Sequence, residues 1–396
     1  MEPSITKPAP ADAPSPRQPT SDADASLIRV STDGGNVLDR LLASSWEGAY
    51  ERDFADERLG WLRDAVTYHL EHCEIYARMA KAAGFDPAQL EHSRDLERIP
   101  LIPSSLFKKK RIVSQTSGDV LECTSSGTKG TMSKVCRDEP TMERFITGLL
   151  HCTTEFFERH EGRQGFVLGP ATEEAGTLWF SYVLSLLDLS FDTDFFVRED
   201  EFLPDELADA LSNLEPGTQP LIVGPPVLIV DFCEWLRDQG RTLDLGGCNA
   251  LVVTAGGWKS HAAIAIDRDE LTELVRSVLG VEYQAVRDVY NMVELNSLIF
   301  ECERKVKHVA PWLEVVVRNP ANLSRVGPGE EGVLTFLDPT PTSYPGFVFS
   351  DDLGTLSVGR CECGRVGQTV TLSRRLSKVE ARGCALKMSR YKRGKQ

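Results

Sequence analysis

Residues 120–138 read VLECTSSGTKGTMSKVCRD, two short apolar runs on either side of a tract of hydroxyls and glycines that carries one lysine. The pattern predicts a strand over Val120 to Cys123, then a loop of Thr124, Ser125, Ser126, Gly127, Thr128, Lys129 and Gly130 running on to Thr131, and a second strand from Ser133. In such a loop, backbone N–H and side-chain O–H groups converge on phosphate oxygens, and Lys129 adds a point charge. The order differs from G-x-x-x-x-G-K-[ST], because the lysine precedes the second glycine and strands flank both sides. A plain polar turn is the competing reading of these residues taken alone.

Downstream, strand-like runs alternate with helical patterns. GFVLG (165–169) leads into a helix-like stretch to Leu187, LIVG (221–224) into Val227 to Leu236, and ALVVTAGG (250–257) into a segment ending near Leu279, followed by VRDVYNM (286–292). Strand, loop and helix in repetition predict an α/β fold with parallel strands, whose ligands bind beyond the carboxyl ends of the strands. Past residue 305 the runs LEVVVRNP, GVLTFLD and GFVFSDDLGTLSV lie between Pro and Gly turns and predict a β-rich subdomain. Upstream, Leu59, Leu62, Val66, Leu70, Cys73 and Ala77 recur at spacings of three and four before Gly84, which predicts one amphipathic helix over 58–83. ERIPLIPSSLFKKK (97–110) reads as an extended connector, since a residue before proline avoids the helical region. The expected organisation is a disordered Pro-rich tail (1–26), a helical N-terminal segment (27–115), an α/β core (116–305), and a β-rich subdomain with a basic tail (306–396).

The 396 residues are too many for one ordinary core, and 41% hydrophobic with 26% charged residues is the composition of a soluble globular protein. A formal charge of −15 argues against sequence-independent nucleic-acid binding, which needs surplus Lys and Arg to displace counterions. No apolar run is long enough to span a bilayer, and the first residues, with prolines at 3, 8, 10, 14, 16 and 19, lack the apolar core of a secretory signal. Ten cysteines at irregular spacing then fit free thiols in a reducing, cytoplasmic setting better than a disulfide framework.

TSSGTKGTMSK (124–134) resembles the phosphate loop of the adenylate-forming superfamily, which contains acyl- and aryl-CoA ligases, peptide-synthetase adenylation domains and luciferases. Further segments follow in the order that superfamily requires. DVYNMVEL (288–295) resembles the motif whose glutamate holds Mg2+ and whose aromatic residue packs near adenine, which implies Glu294 and Tyr290 in those roles. SDDLG (350–354) is similar to the segment whose aspartate binds the ribose hydroxyls, which implies Asp352, with Asp351 as its rival; LSRR (372–375) resembles the hinge segment and implies Arg374. Lys259, in TAGGWKSH (254–261), follows a strand on the expected ligand edge and is a candidate phosphate or carboxylate contact. Leu178, Trp179, Phe180 and Tyr182 are candidates for an acid pocket, with core packing equally consistent with their helical spacing.

Within the superfamily the chain most closely resembles the acyl-protein synthetases, or luciferin-component ligases, of the bacterial bioluminescence fatty-acid reductase system. IPLIPSSLFK (99–108), TAGGWKSH, YNMVE (290–294), SYPG (343–346), CECGR (361–365) and EARGC (380–384) carry that finer likeness. Asn291 stands where the superfamily has glycine, which bears on backbone approach to an acyl-adenylate. The resemblance implies an adenylating large domain (helical N-terminal segment, mixed and parallel sheets with helices, β-rich subdomain) that lacks the usual small lid domain and its catalytic lysine. It also implies that Cys384, in the RGC motif, accepts the acyl group. Arg382 and Lys387 flank that thiol, and nearby cations favour the nucleophilic thiolate.

The implied reaction uses ATP and Mg2+ to convert a carboxylic, fatty acid to acyl-AMP, transfers the acyl group to Cys384 as a thioester, and delivers it to a partner acyl reductase. Two other functions stay open: ligation directly to CoA or a carrier protein, and a non-catalytic acyl-binding scaffold, for which Asn291 is the support. Cys361-x-Cys363 invites a zinc reading, but structural zinc needs four ligands and no second closely spaced pair accompanies it in the sequence. His261 and His308 read as lone structural histidines.

Overall fold

Leu221, Ile222 and Val223, and on the next strand Leu251, Val252 and Val253, are buried in unbroken succession rather than in alternation, because both faces of their sheet are covered. They belong to a computed structural model that describes residues 48–116, 118–126, 132–158, 162–258 and 266–376. In chain order the strands are β1 (Ile102–Pro103), β2 (Val120–Thr124), β3 (Lys134–Asp138), β4 (Arg163–Val167), β5 (Asp192–Phe195), β6 (Val197–Arg198), β7 (Glu201–Phe202), β8 (Gln219–Gly224), β9 (Leu251–Ala255), β10 (Val286–Tyr290), β11 (Ile299–Glu301) and β12 (Lys307–His308). They continue with β13 (Glu314–Arg318), β14 (Gly332–Asp338), β15 (Gly346–Arg360) and β16 (Val366–Arg375).

One sheet runs through most of them in the order β13-β14-β15-β16-β12-β11-β10-β9-β8-β4-β5, with β1 added alongside β15. From β10 to β5 the neighbours are parallel, as the alternating strand and helix pattern predicts; from β13 to β10 they are antiparallel. The α/β core and the β-rich subdomain are therefore hydrogen-bonded into a single sheet. β2 and β3 form a separate hairpin around the Ser- and Gly-rich loop.

The helices that flank the parallel half have legible ends. Asp267 accepts from the Glu270 N–H at 2.8 Å to start Arg268–Leu279, and Gly280, at φ +67°, stops it. Asp138 caps Glu139–Phe157 in the same way through Thr141. The expected single helix over 58–83 is two, Ala55–His72 and Glu74–Ala82, split at Cys73, whose backbone is extended and whose side chain is buried. No glycine or proline marks that break; packing does. The connector is also less extended than its prolines predict, since Ser104–Phe107 forms one helical turn after β1. Arg58 docks the N-terminal helices on the far edge of the sheet, donating to Glu314 at 2.7 Å, to the Pro311 carbonyl at 2.9 Å and to Asp53 at 3.1 Å.

Candidate active site

The loop that opens the site is pinned at its base. The Ser125 N–H donates to the Ser133 carbonyl at 3.0 Å, and the Ser133 N–H returns a bond to Ser125 Oγ at 3.0 Å. Thr124, one residue earlier, is tied to Thr177 through its N–H at 2.7 Å and its hydroxyl at 3.2 Å. Ser126 is exposed beyond this staple. Gly127, Thr128, Lys129 and Gly130 lie outside the described residues, as do Lys259, His261 and Cys384.

Glu294 sits in the turn between β10 and β11, and only 4% of it is exposed. Burial pushes its carboxyl above the usual range, while Ser133, its own amide, Lys108 and Arg375 pull the other way without prevailing. Two of those names connect the site: Ser133 is the far anchor of the hydroxyl loop, and Lys108 closes the Pro-punctuated connector. Among the described residues no Lys or Arg forms an ion pair with Glu294. A buried carboxylate lacking a protein cation, next to the base of a phosphate-type loop, suits Mg2+, which takes one or two protein oxygens and fills its other positions with phosphate and water.

Tyr290 ends β10, and its hydroxyl donates to Asp352 Oδ2 at 2.7 Å although β11, β12 and β16 intervene in the ladder. The sheet therefore bends back on itself, and Tyr290 also stacks on Phe336 of β14 with ring centroids 5.8 Å apart. Burial, then Asp352, raises the Tyr290 phenol well above its ordinary value, so it remains a donor. The other Asp352 oxygen accepts from Arg375 Nε at 3.0 Å. Of the two arginines in LSRR it is thus Arg375, not Arg374, that faces the aspartate. Arg374 is in register with Leu353, is exposed, and donates to the Arg375 carbonyl at 3.5 Å. A register shift between Leu353 and Gly354 decides which arginine meets which residue.

Several residues that hold this arrangement carry no motif. Arg137, fully buried in β3, donates through Nη2 to the Val293 carbonyl at 2.7 Å and the Leu295 carbonyl at 3.1 Å, and through Nε to Asn296 Oδ1 at 3.2 Å. It grips the backbone on both sides of Glu294. Its guanidinium lies 3.5 Å from the Trp179 ring, a desolvated cation–π contact. Asn291 accepts from Trp179 Nε1 at 2.8 Å and donates to the Ser297 carbonyl at 2.8 Å, and its φ is not positive. Asparagine at this position thus makes tethers that glycine could not, and the backbone here has no need of glycine's freedom. Trp179 serves as core, 2% exposed, whereas Phe180 packs against Gly256, where an added Cβ would lie 2.9 Å from the ring. The one sequence signal for Arg137 is an arginine inside a strand that is otherwise buried.

The family model described as "Acyl-protein synthetase, LuxE" matches residues 39–392. A long-chain-fatty-acid–luciferin-component ligase of Vibrio harveyi is 32% identical over 337 residues, covering 83% of this chain and 86% of the relative. The ligase of the same name from Aliivibrio fischeri is 29% identical over 368 residues, covering 91% and 95%. Among solved structures, 2-hydroxyisobutyryl-CoA ligase in complex with 2-HIB-AMP and CoA in the thioesterification state superposes with a TM-score of 0.63 at 17% identity, over 82% of this chain and 68% of that one. Its open conformation gives 0.61 at 18% identity. The architecture is that of an adenylate-forming ligase, and with the family match spanning nearly the whole sequence, the chain belongs to the acyl-protein synthetase (LuxE) family.

Proposed function

We propose that the chain is an ATP-dependent acyl-protein synthetase that activates a long-chain fatty acid as its adenylate and carries the acyl group on Cys384 to a partner acyl reductase in the cytoplasm. The observation that carries the activation step is the meeting of three separate chain segments: the stapled loop base at Ser125 and Ser133, the buried Glu294 beside it, and the Tyr290–Asp352–Arg375 chain of hydrogen bonds. The loop cradles the triphosphate, with Thr124, Ser125, Ser126, Gly127, Thr128 and Gly130 supplying donors and Lys129 a positive charge. Glu294 would hold Mg2+, which when bound would supply neutralising charge to the phosphates. Asp352, held by Arg375 and oriented by Tyr290, accepts from the ribose hydroxyls. Lys259 and Arg374 are left to contact phosphate or carboxylate as the acid attacks the α-phosphorus, a reaction governed by positioning and electrostatics.

The fatty acid is inferred from the names of the Vibrio and Aliivibrio relatives, and the thiol step from the RGC segment. Attack by the Cys384 thiolate on the acyl-adenylate carbonyl forms the thioester and expels AMP. Labelled fatty acid with ATP is expected to leave a hydroxylamine-sensitive label on the protein that vanishes in Cys384→Ser while acid-dependent pyrophosphate exchange persists. Full labelling of the variant removes Cys384 as the acceptor, and transfer to CoA without a protein label favours a conventional acyl-CoA ligase.

A further inference from the structure

Far from the nucleotide end of β15, two turns of the same build face each other. Cys302 to Val306 joins β11 to β12, and Cys361 to Arg365 joins β15 to β16. In the first, the Cys302 N–H donates to the Val306 carbonyl at 2.9 Å and the Lys305 N–H to the Cys302 carbonyl at 3.0 Å; in the second, Cys361 donates to Arg365 at 2.8 Å and Gly364 to Cys361 at 2.9 Å. The fourth residue is left-handed in both, Lys305 at φ +60° and Gly364 at φ +95°. The third residue's N–H points at the leading sulfur in both, from Arg304 to Cys302 Sγ at 3.4 Å and from Cys363 to Cys361. Such turns aim backbone dipoles at a sulfur that bears negative charge.

Cys302, Cys361, Cys363 and His308 offer one ligand atom each, all within 4.8 Å of one another. His308 is 1% exposed, its Nε2 lies 3.4 Å from Cys363 Sγ, and its Nδ1 has no hydrogen-bond partner among the described residues. A buried imidazole with only sulfur beside one nitrogen and nothing beside the other is an unusual hydrogen-bonding arrangement. A tetrahedral zinc site with ordinary bond lengths places sulfur and nitrogen ligands about 3.6 Å apart and two sulfurs about 3.8 Å apart. The cysteines are free rather than paired. The missing second pair is thus supplied by the fold: Cys302 and His308 are distant in sequence from Cys361-x-Cys363 and adjacent in space.

We propose that Cys302, His308, Cys361 and Cys363 bind one structural Zn2+, independent of the nucleotide-linked Mg2+. Each ligating thiol releases its proton to solvent on binding. Arg365 hydrogen-bonds Cys363 at the edge of the cluster and is itself held by Glu155 at 2.7 Å and Glu303 at 3.3 Å. A groove of about 430 Å³ lined by Arg304, Val306, Arg360, Cys361, Glu362 and Thr369 reaches Cys361 from solvent. What the ion would hold is visible in the ladder. The antiparallel half joins the rest of the sheet through β12, which makes two residue pairs with β16 and two with β11. A metal bridging the turns on both sides of β12 clamps that short joint.

The test is metal analysis of the full chain purified without chelator, then loaded with Zn2+ and desalted. About one zinc per chain is expected in the wild type, with loss of most of it in Cys361→Ser and Cys363→Ser and full retention in Cys248→Ser, a cysteine elsewhere in the fold. Replacement with Co2+ is expected to give the visible bands of a tetrahedral thiolate site. If the ligand variants do not fold, mercurial titration of the wild type decides, since zinc release must track modification of three thiols. Sub-stoichiometric zinc in the loaded wild type, full retention in the Cys361→Ser/Cys363→Ser double variant, or octahedral cobalt spectra each overturn the proposal.

Discussion

Glu294 lies in the turn before β11 and Glu301, seven residues later, ends that strand; both are nearly inaccessible, at 4% and 3% exposure. Their surroundings are opposite. Glu301 accepts from Arg268 at 2.8 Å and Lys307 at 2.9 Å, and although burial pushes its carboxyl up, those two cations overcome it and leave the group below the ordinary range. Glu294 keeps the upward shift, because Ser133, its own amide, Lys108 and Arg375 offset its burial only in part. At Glu301, as at Glu314 with Arg58, the chain supplies the cations itself, whereas Asp338 is held by hydroxyls and amides alone. At Glu294 no Lys or Arg among the described residues forms an ion pair, and burial leaves the carboxyl raised.

Paired substitutions test that contrast most severely. Glu294→Gln is expected to lower acid-dependent pyrophosphate exchange by about 100-fold or more while leaving thermal stability unchanged or raised, since a neutral amide suits the buried site. Glu301→Gln is expected to do the reverse, costing about 2–3 kcal/mol in denaturant unfolding by stranding Arg268 and Lys307, with exchange per folded molecule close to wild type. Equal stability losses in the two variants would erase the distinction.

The pH dependence sharpens it further. A carboxyl whose pKa is raised on folding binds more protons in the native state, so Glu294 contributes stability that is lost as pH rises from the ordinary carboxylate value through the folded one. Glu301, lowered on folding, contributes stability that is lost as pH falls through its own folded value. Urea midpoints measured across the acid range are therefore expected to show a shallower high-pH decline in Glu294→Gln and a shallower low-pH decline in Glu301→Gln than in the wild type. A smaller effect belongs to Tyr290→Phe, which removes one hydrogen bond to Asp352 while Arg375 remains. It is expected to raise the KM for ATP by about fivefold, in line with about 1 kcal/mol for such a bond, and to leave the maximal exchange rate near wild type.

The parallel half of the sheet was legible in the sequence because its strands are continuous apolar runs bounded by helix caps. LIVG is the last four residues of β8 and ALVVTAGG contains β9, and in the antiparallel half GVLTFLD is β14 residue for residue. Of the motif segments, the fold brings Tyr290 and Asp352 into contact. What sequence could not supply was everything that depends on two distant segments meeting. Arg137 reads as one charged residue in a strand until the 293–296 backbone is placed against it. The choice between Arg374 and Arg375 turns on a register shift, which moves neighbours to opposite faces. Cys73 ends a helix without a breaker, and Cys302 and His308 join the CECGR turn only through the β11-β12-β16 ladder.

The parallel pairing of β1 with β15 matches Ile102 to Val348 and Pro103 to Phe349. This contact, like that between Tyr290 and Asp352, ties early chain to late chain, and contacts of such long sequence separation form slowly because the intervening loop must close first. During synthesis, β1 leaves the ribosome hundreds of residues before its partner, and the Asp352 end of the site cannot exist until β15 and β16 have followed. A nascent chain therefore lacks both the β1–β15 pairing and the Tyr290–Asp352–Arg375 contacts until β16 has been made.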